Sequence, residues 1–282
     1  MADFLAKYGI KEVADITFYH INDTTNKPDY PMLYIDTAKV STIEQTAEQT
    51  EARGGKGNPP LIIWDYGKEI NVTLEDALFS AKSMAIMFGN GSVKTMTSTS
   101  GSYLIMRTEE FIATVATTTA SASDAGWKAS YEGPNGKTYV KQNPKFYDYT
   151  GATVSSFAAN TRYFCSYDLV VDPAKTGIIE IGASTFPGTY YVTGDTYARS
   201  AASGEDEFFQ FIIPKAKMNA ENTITLEAEG DPSVFNMSLR VMRPDDGIMM
   251  KLVKYDLANG TDATVSATSD IIHNHTLNGT NA

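Results

Sequence analysis

The chain has 282 residues, of which 42% are hydrophobic and 20% charged, the profile of a folded protein long enough for one large β domain or two small ones. Its 34 acidic residues outnumber its 23 basic ones, and the net charge of −11 argues against non-specific binding of DNA or RNA. The single cysteine, Cys165, excludes an intrachain disulfide, so the fold has to be held by its core.

The amino-terminal segment carries no basic start followed by an apolar run, so we expect no secretory signal. No window of the sequence approaches the ~20 apolar residues that a membrane span needs. We therefore expect a soluble protein that is made in the cytoplasm and has no membrane partner. Short runs rich in Thr, Ser, Tyr, Val and Ile, separated by Gly, Asn and Asp, favour strands and turns over helices.

Residues 40–60 form a polar stretch with few apolar side chains. Glu44, Glu48 and Glu51 recur at a spacing that one face of a helix would also show. The β-branched residues among them are poor helix formers, however. We therefore predict an extended arm or strand over Val40–Glu51.

The glycine-rich segment GGKGNPP, residues 54–60, raises the question of a phosphate-binding loop. A P-loop needs four residues between its glycines and a Gly-Lys-Ser/Thr that opens a helix, whereas Lys56 is followed by Gly57 and two prolines. No strand and helix frame the glycines as a dinucleotide site requires. We interpret the segment as a hinge, in which glycines permit unusual backbone angles and prolines stiffen the exit into strands at Leu61–Trp64 and Glu69–Val72.

An amphipathic helix is predicted over Thr73–Phe88. Thr73 occupies the N-cap position with Asp76 three residues on, an acidic variant of the capping box, and Gly89 supplies the stop. The apolar residues that define its buried face follow helical spacing: Leu74, Ala77, Leu78, Ala81, Ala85 and Phe88.

The last third of the chain shows the clearest alternation of apolar and polar residues. Val234–Met242 and Ile248–Tyr255 are predicted to form an antiparallel hairpin around the loop at 243–247. From 257 to 282 the sequence is polar, and we expect a tail that is loose or ordered by a partner.

No catalytic constellation is present in the sequence. His273 and His275 would share a face of a strand and offer two metal ligands, but a solvated tail is the simpler interpretation. The acidic runs at 205–207 and 245–246 lack the alternating oxygen pattern of a calcium loop, and no G-x-S-x-G nucleophile motif occurs. We therefore predict no catalytic residue, no metal site and no cofactor.

Two segments resemble virion structural proteins of long-tailed bacteriophages. They are EARGGKGNPPLIIWDYGKEINVTLEDALFSAKSMAIMFG, residues 51–89, and GEDEFFQFIIPKAKMNAENTITLEAEGDPSVFNMSLRVMRPDDGIMMKLVKYD, residues 204–256. Within that group the sequence is most similar to the tail tube proteins (major tail proteins).

The resemblance implies a mainly β fold: an antiparallel β-sandwich or barrel with one flanking α-helix, here residues 73–88, and a long extended arm. The core would comprise residues 1–119 and 200–256. Residues 120–199 would form a β-rich excursion or a small outer subdomain.

The resemblance also implies self-assembly into stacked, hexameric rings that conduct DNA without binding it specifically. Sheath, tape-measure, baseplate and tail-completion proteins would be further partners, and the protein would reside in the virion tail after assembly in the host cytoplasm. We predict that the arm makes subunit contacts and that acidic residues of the arm line the lumen. The arm residues are Arg53, Gly54, Gly55, Lys56, Gly57 and Asn58, and the lumen residues are Glu44, Glu48 and Glu51.

Three alternatives remain at the level of sequence. The first is another virion component with the same β fold, such as a baseplate, tail-tip or head-decoration protein. The second is a carbohydrate-binding β module, which would be expected to cluster exposed aromatic residues. The third is an enzyme, which the missing catalytic constellation disfavours.

Overall fold

The computed structural model describes residues 7–10, 12–89, 93–95, 104–221 and 234–255. It confirms a mainly β fold with antiparallel sheets and one α-helix in this described part. The predictions for residues 257–282, including the histidine pair at 273 and 275, lie outside the described residues. The chain divides into two compact units, Met1–Val93 with Ile179–Ala282, and Lys94–Ile178.

The elements in chain order are as follows. The first unit contains β1 Tyr8–Ile10, β2 Asp15–Ile21, β3 Pro28–Ile35, β4 Ala38–Arg53, β5 Pro60–Asp76, α1 Ala81–Phe88, β15 Thr189–Ser200, β16 Asp206–Met218, β17 Phe235–Val241 and β18 Lys251–Tyr255. The second unit contains β6 Lys94–Thr95, β7 Leu104–Ala113, β8 Thr117–Thr118, β9 Ser130–Glu132, β10 Thr138–Val140, β11 Gln142–Tyr147, β12 Ser156–Phe157, β13 Thr161–Val170, β14 Gly177–Ile178 and two short 3₁₀ turns, Thr119–Ser121 and Pro173–Lys175.

The first unit is built on one nine-stranded sheet with the order β3-β2-β15-β16-β17-β5-β4. β1 also pairs with β15, and β18 also pairs with β16. In β17 alternate residues point into one core, where Phe235, Met237, Leu239 and Val241 are buried. This strand therefore forms because its apolar residues recur at a period of two and share one buried face. The central strands β15 and β16 also bury consecutive residues, such as Phe211, Ile212 and Ile213.

The carboxyl-terminal strands do not form the predicted hairpin. β17 pairs with Ala216–Met218 and β18 pairs with Phe208–Ile212, so both strands run antiparallel to β16 along the same edge. Two strands that follow one another along one edge run in the same direction, whereas a hairpin requires opposite directions. The prediction of a hairpin between Val234–Met242 and Ile248–Tyr255 is wrong for this reason.

The α-helix exists, but its predicted start at Thr73 is wrong. Residues 73–76 continue β5, because Thr73 pairs with Ser238 of β17 on one side and with Thr42 of β4 on the other. The helix begins after Ser80, whose hydroxyl accepts from the Ser83 amide while the Ser83 hydroxyl accepts from the Ser80 amide. The apolar residues at helical spacing before Ala81 thus belong to a strand and a connection.

The second unit, described by itself, contains the three-stranded antiparallel sheet β11-β13-β7. One face of this sheet packs on a core of aromatic rings, among them Phe146, Phe157 and Tyr163, which meet edge to face. The unit spans residues 94–178, whereas the sequence-based division placed a subdomain at 120–199, a division that stays a prediction.

A lysine is buried in the core of the second unit. The side chain of Lys141 is 3% exposed, and its ammonium forms an ion pair with Glu109. The same ammonium lies 4.7 Å from the ring centre of Tyr167 and 5.2 Å from that of Trp127. Carboxylate and aromatic faces together compensate for the lost hydration of a buried charge. These contacts explain the burial of the Lys141 ammonium as part of the packing of this small core.

Candidate functional site: an extended hairpin arm

β4 and β5 form one long antiparallel hairpin that leaves the body of the first unit. Their register runs from Ala38 opposite Asp76 at the base to Arg53 opposite Pro60 at the end. The predicted strands at 61–64 and 69–72 are therefore parts of one continuous strand. The sequence-based expectation of an extended arm or strand at residues 40–51 agrees with this hairpin.

The base of the hairpin is anchored in the sheet core. Ile70, Val72 and Leu74 of β5 are buried, and β5 pairs with β17 over residues 71–76. Beyond this point β5 pairs only with β4 among the described residues. We call residues 47–68 the distal arm, in which nearly every residue is exposed.

The two halves of the hairpin meet at a break in register. Thr46 lies opposite Glu69, but Glu48 lies opposite Tyr66, so β5 contributes an extra residue on its side of the ladder. Gly67 sits in this bulge with φ of 62°, a left-handed conformation that glycine adopts without strain. A bulge bends and twists the ladder, so the direction of the distal arm is set here.

The tip of the hairpin contains all six residues predicted as subunit-contact residues. The Gly54 amide donates to the Pro59 carbonyl at 3.3 Å, and the Asn58 amide donates to the Gly55 carbonyl at 3.1 Å. Gly55, Gly57 and Asn58 all have positive φ, as a tight reversal between two strands requires. The glycines are thus part of a hairpin turn at the end of the arm.

The three glutamates predicted to line a lumen are all exposed, but they do not share one face. Directly opposed residues of a ladder share a face, and neighbours along a strand alternate. Because the register is continuous from Glu48 to Ala52, Glu48 and Glu51 point to opposite faces of the distal arm. Glu44 lies in the base half, opposite Asn71 and away from the buried Val72 and Ile70.

An exposed apolar run on β5 was not foreseen from the sequence. Leu61, Ile62, Ile63, Trp64 and Tyr66 are each at least half exposed, from 50% at Trp64 to 65% at Leu61. The sequence predicted a strand at 61–64, and apolar strands are normally buried. The available signal was the partner strand: from Glu44 to Arg53 it contains no apolar side chain larger than alanine, so it supplies no second apolar layer to cover the run.

Opposed pairs divide the distal arm into two chemically different faces. On one, which we call the Trp64 face, Ile62, Trp64 and Tyr66 lie beside Ala52, Thr50 and Glu48. On the other, the Ile63 face, Ile63 lies opposite Glu51 and Asp65 lies opposite Gln49. The Trp64 face is the more apolar of the two and carries the two aromatic side chains.

Polar contacts within the chain hold the arm in shape. The Gln49 amide donates to the Asp65 carboxylate across the ladder at 2.8 Å, and the Arg53 guanidinium donates to Glu51 at 2.5 Å. At the base, Arg240 of β17 forms an ion pair with Glu69 of β5. Arg53, predicted as a subunit-contact residue, thus has an acidic partner two residues away in its own strand.

The described residues contain no cluster of three or more His, Cys, Asp or Glu side chains that would hold a metal ion. Cys165 is buried in the second unit, where burial above all, and next the Glu109 carboxylate, raise the pKa of its thiol to about 11. A thiol of that pKa is protonated at neutral pH and is a poor nucleophile. In the part of the chain that the structure describes, no helix has the length and apolarity to cross a membrane.

These features define a mainly β protein whose most distinctive surface is an extended hairpin with an exposed apolar run. The chain belongs to the YomU/Tube protein family, whose model matches residues 8–254. A protein of Bacillus phage SPR described as "Tail tube protein" is 31% identical over 80 residues. That alignment covers 28% of this chain and 28% of the length of the relative. The predicted resemblance to tail tube proteins is thereby confirmed.

Proposed function

We propose that this chain is a structural subunit of a phage tail tube. The subunit assembles through contacts between its arm and neighbouring copies. The observation that carries the proposal is the distal arm, whose apolar run has no cover among the described residues of its own chain. Solvent-exposed apolar surface of this extent on a projecting hairpin marks a contact with another chain. Membership in the tube family supports a second copy as that chain.

The free edges of the nine-stranded sheet support the same proposal. β3 and β4 end the strand order, so in the described part each has one side without a strand partner. Unpaired edges template association with other strands, and joining them into a closed ring removes them. Ring closure with one repeated head-to-tail contact is the outcome expected of identical subunits. Six subunits per ring is the number implied by the resemblance to tail tube proteins.

The role of the assembled tube is conduction, and no catalysis is assigned to it. A net charge of −11 gives the subunit a field that repels DNA phosphates, so a passing duplex does not adhere to the wall. The protein would then act in the virion tail after assembly in the host cytoplasm. Sheath, tape-measure, baseplate and tail-completion proteins would contact the tube.

Assembly itself is the first expected result. Purified protein at raised concentration should form rings or stacked tubes, because uncovered apolar surface and strand edges favour association. Negative-stain electron microscopy and analytical ultracentrifugation over a concentration series measure this. Isolated rings that never stack would favour a tail-tip or baseplate component. A strict monomer at every concentration and salt contradicts the proposal.

Lysine substitutions test whether arm glutamates line the lumen. We expect Glu44→Lys and Glu51→Lys, combined, to leave assembly intact, because both positions are exposed, Glu44 in the base half of the hairpin and Glu51 on the Ile63 face. Positive charge in the wall should slow DNA ejection from virions built with the variant, measured by the rate of DNA release in vitro. Glu48 lies on the Trp64 face, so Glu48→Lys should weaken assembly as well. Ejection at the normal rate by the double variant counts against a lumen position for Glu44 and Glu51.

A further inference from the structure

An apolar groove opens into the core of the first unit. Ile10, Val13, Val40 and Ile43 supply the exposed apolar part of its lining. All four residues are more than a third exposed, and the buried core residue Phe211 also lines the groove. The groove is therefore a place where the core of this unit is left open at its side.

Polar groups also line the groove. Lys39 and Glu12 add one positive and one negative charge to its lining. The hydroxyl of Ser41, another lining residue, is buried and has no hydrogen-bond partner within the described ranges. A buried hydroxyl without a partner is costly, and a segment that filled the groove would supply one.

The arm of the same chain cannot fill this groove. Ile43 at the groove and Ala52, which lies opposite Ile62 in the apolar run, are nine residues apart on one strand. At about 3.3 Å per residue the separation is roughly 30 Å. The ladder between β4 and β5 is paired along this whole distance, so the hairpin cannot fold back on its own base. The exposed apolar run and the open groove of one molecule stay apart.

We propose that the groove between Val13 and Val40 is the acceptor site for the Trp64 face of the arm of a second copy. This inference rests on the proposed assembly and names the surface that receives the arm. The Trp64 face presents Ile62, Trp64 and Tyr66, and aromatic anchors buried in apolar pockets dominate protein interfaces. Glu48 on this face and Lys39 at the groove have opposite charge, which favours one orientation of the arm.

The pairing of two different surfaces has a geometric consequence. Arm to groove is a head-to-tail contact, since each copy keeps a free groove when its arm is bound and a free arm when its groove is bound. Such contacts generate rings when the rotation closes and helical stacks when it does not. One chain with both surfaces therefore suffices to build an extended assembly.

Disulfide trapping between two variants tests the acceptor site. Val13→Cys and Ile62→Cys are purified separately, mixed as unassembled subunits, allowed to assemble and then mildly oxidised. We expect a disulfide-linked pair of chains on a non-reducing gel, because docking brings the two Cα atoms to within about 7 Å. The native Cys165 is buried and has a pKa near 11, so it does not compete at pH 8.

The matched control replaces the neighbouring residue on the other face. Ile63 and Ile62 are 51% and 52% exposed, so Ile63→Cys is as accessible as Ile62→Cys but lies on the Ile63 face. We expect at least a tenfold lower yield of the linked pair from Ile63→Cys with Val13→Cys. Electron microscopy before oxidation shows whether rings have formed. Rings without a linked Ile62 pair, or with equal yields from both positions, overturn the acceptor site alone; absence of any assembly overturns the proposed function as well.

Discussion

Replacing residues 47–68 with Asn-Gly should give a folded protein that no longer assembles. Thr46 and Glu69 lie directly opposite each other, so a two-residue turn of this sequence closes the shortened hairpin without disturbing the base. The removed side chains lie outside the buried core cluster, and substitutions at exposed positions usually change the free energy of unfolding by less than about 0.5 kcal/mol each. Assembly, by contrast, should be lost completely, because both faces of the arm are gone.

Sedimentation velocity, electron microscopy and chemical denaturation together measure this result. Trp64→Ala in the intact arm should weaken assembly without abolishing it, since one aromatic anchor is removed and the ladder remains. Ile181→Ala is a suitable control, because Ile181 is an exposed apolar side chain of the first unit outside the arm. A shortened variant that still stacks into tubes would show that the arm is not the subunit contact. A variant that fails to fold would show that the distal arm supports the core.

The second large effect is expected at Gly194 of β15. A methyl group there would lie 2.0 Å from Cε1 and 2.1 Å from Cζ of Phe211, the residue directly opposite in the ladder. Phe211 is 4% exposed and belongs to the core cluster, so the added methyl group would displace a packed ring. Overpacking of this kind costs about 1–3 kcal/mol, and we expect Gly194→Ala to fall at the upper end.

Chemical denaturation of Gly194→Ala beside the unaltered protein measures the loss. Gly9→Ala is the matched control, because a methyl group at this exposed position of β1 meets nothing within 4 Å. Its free energy of unfolding should stay the same or rise slightly, since alanine restricts the unfolded chain more than glycine does. Equal stability of Gly194→Ala and the unaltered protein would mean that Phe211 has an alternative rotamer in the core.

Some parts of the fold follow from local pattern. The alternation of Phe235, Met237, Leu239 and Val241 predicts a strand with one buried face, and the structure contains that strand. The glycines and prolines at 54–60 predict a change of direction between extended segments, and a hairpin turn lies there. Both features depend on neighbouring residues only, through side-chain alternation and backbone angles.

Other parts could not be predicted because two patterns coincide in one segment. Leu74 fits a helical period with Ala77, Leu78 and Ala81, and it also fits a strand period with Val72 and Ile70. Pairing with β4 and β17 makes Leu74 part of a strand, and neither pairing can be recognised in the local sequence. Helix spacing is a weak guide wherever a long-range partner supplies hydrogen bonds.

The candidate site, too, is predicted by the sequence only in part. The sequence of residues 40–51 predicts an extended arm or strand, and the glutamates on it are visible in the sequence. Their distribution over two faces is not, because a bulge at Gly67 shifts the ladder between Thr46 and Glu48. The groove between Val13 and Val40 cannot be predicted from the sequence at all, because the residues that line it come from separate segments of the chain.

By itself, then, the sequence determined the strand-rich class of this protein, its acidic character and the presence of an arm, because each depends on composition or on neighbouring residues. Only the tertiary structure decided where β5 ends and α1 begins, which strands share the edge of β16, and which apolar side chains remain in water. Those outcomes depend on pairing between residues as distant as Leu74 and Met237, and such pairs are selected by the free energy of the whole sheet.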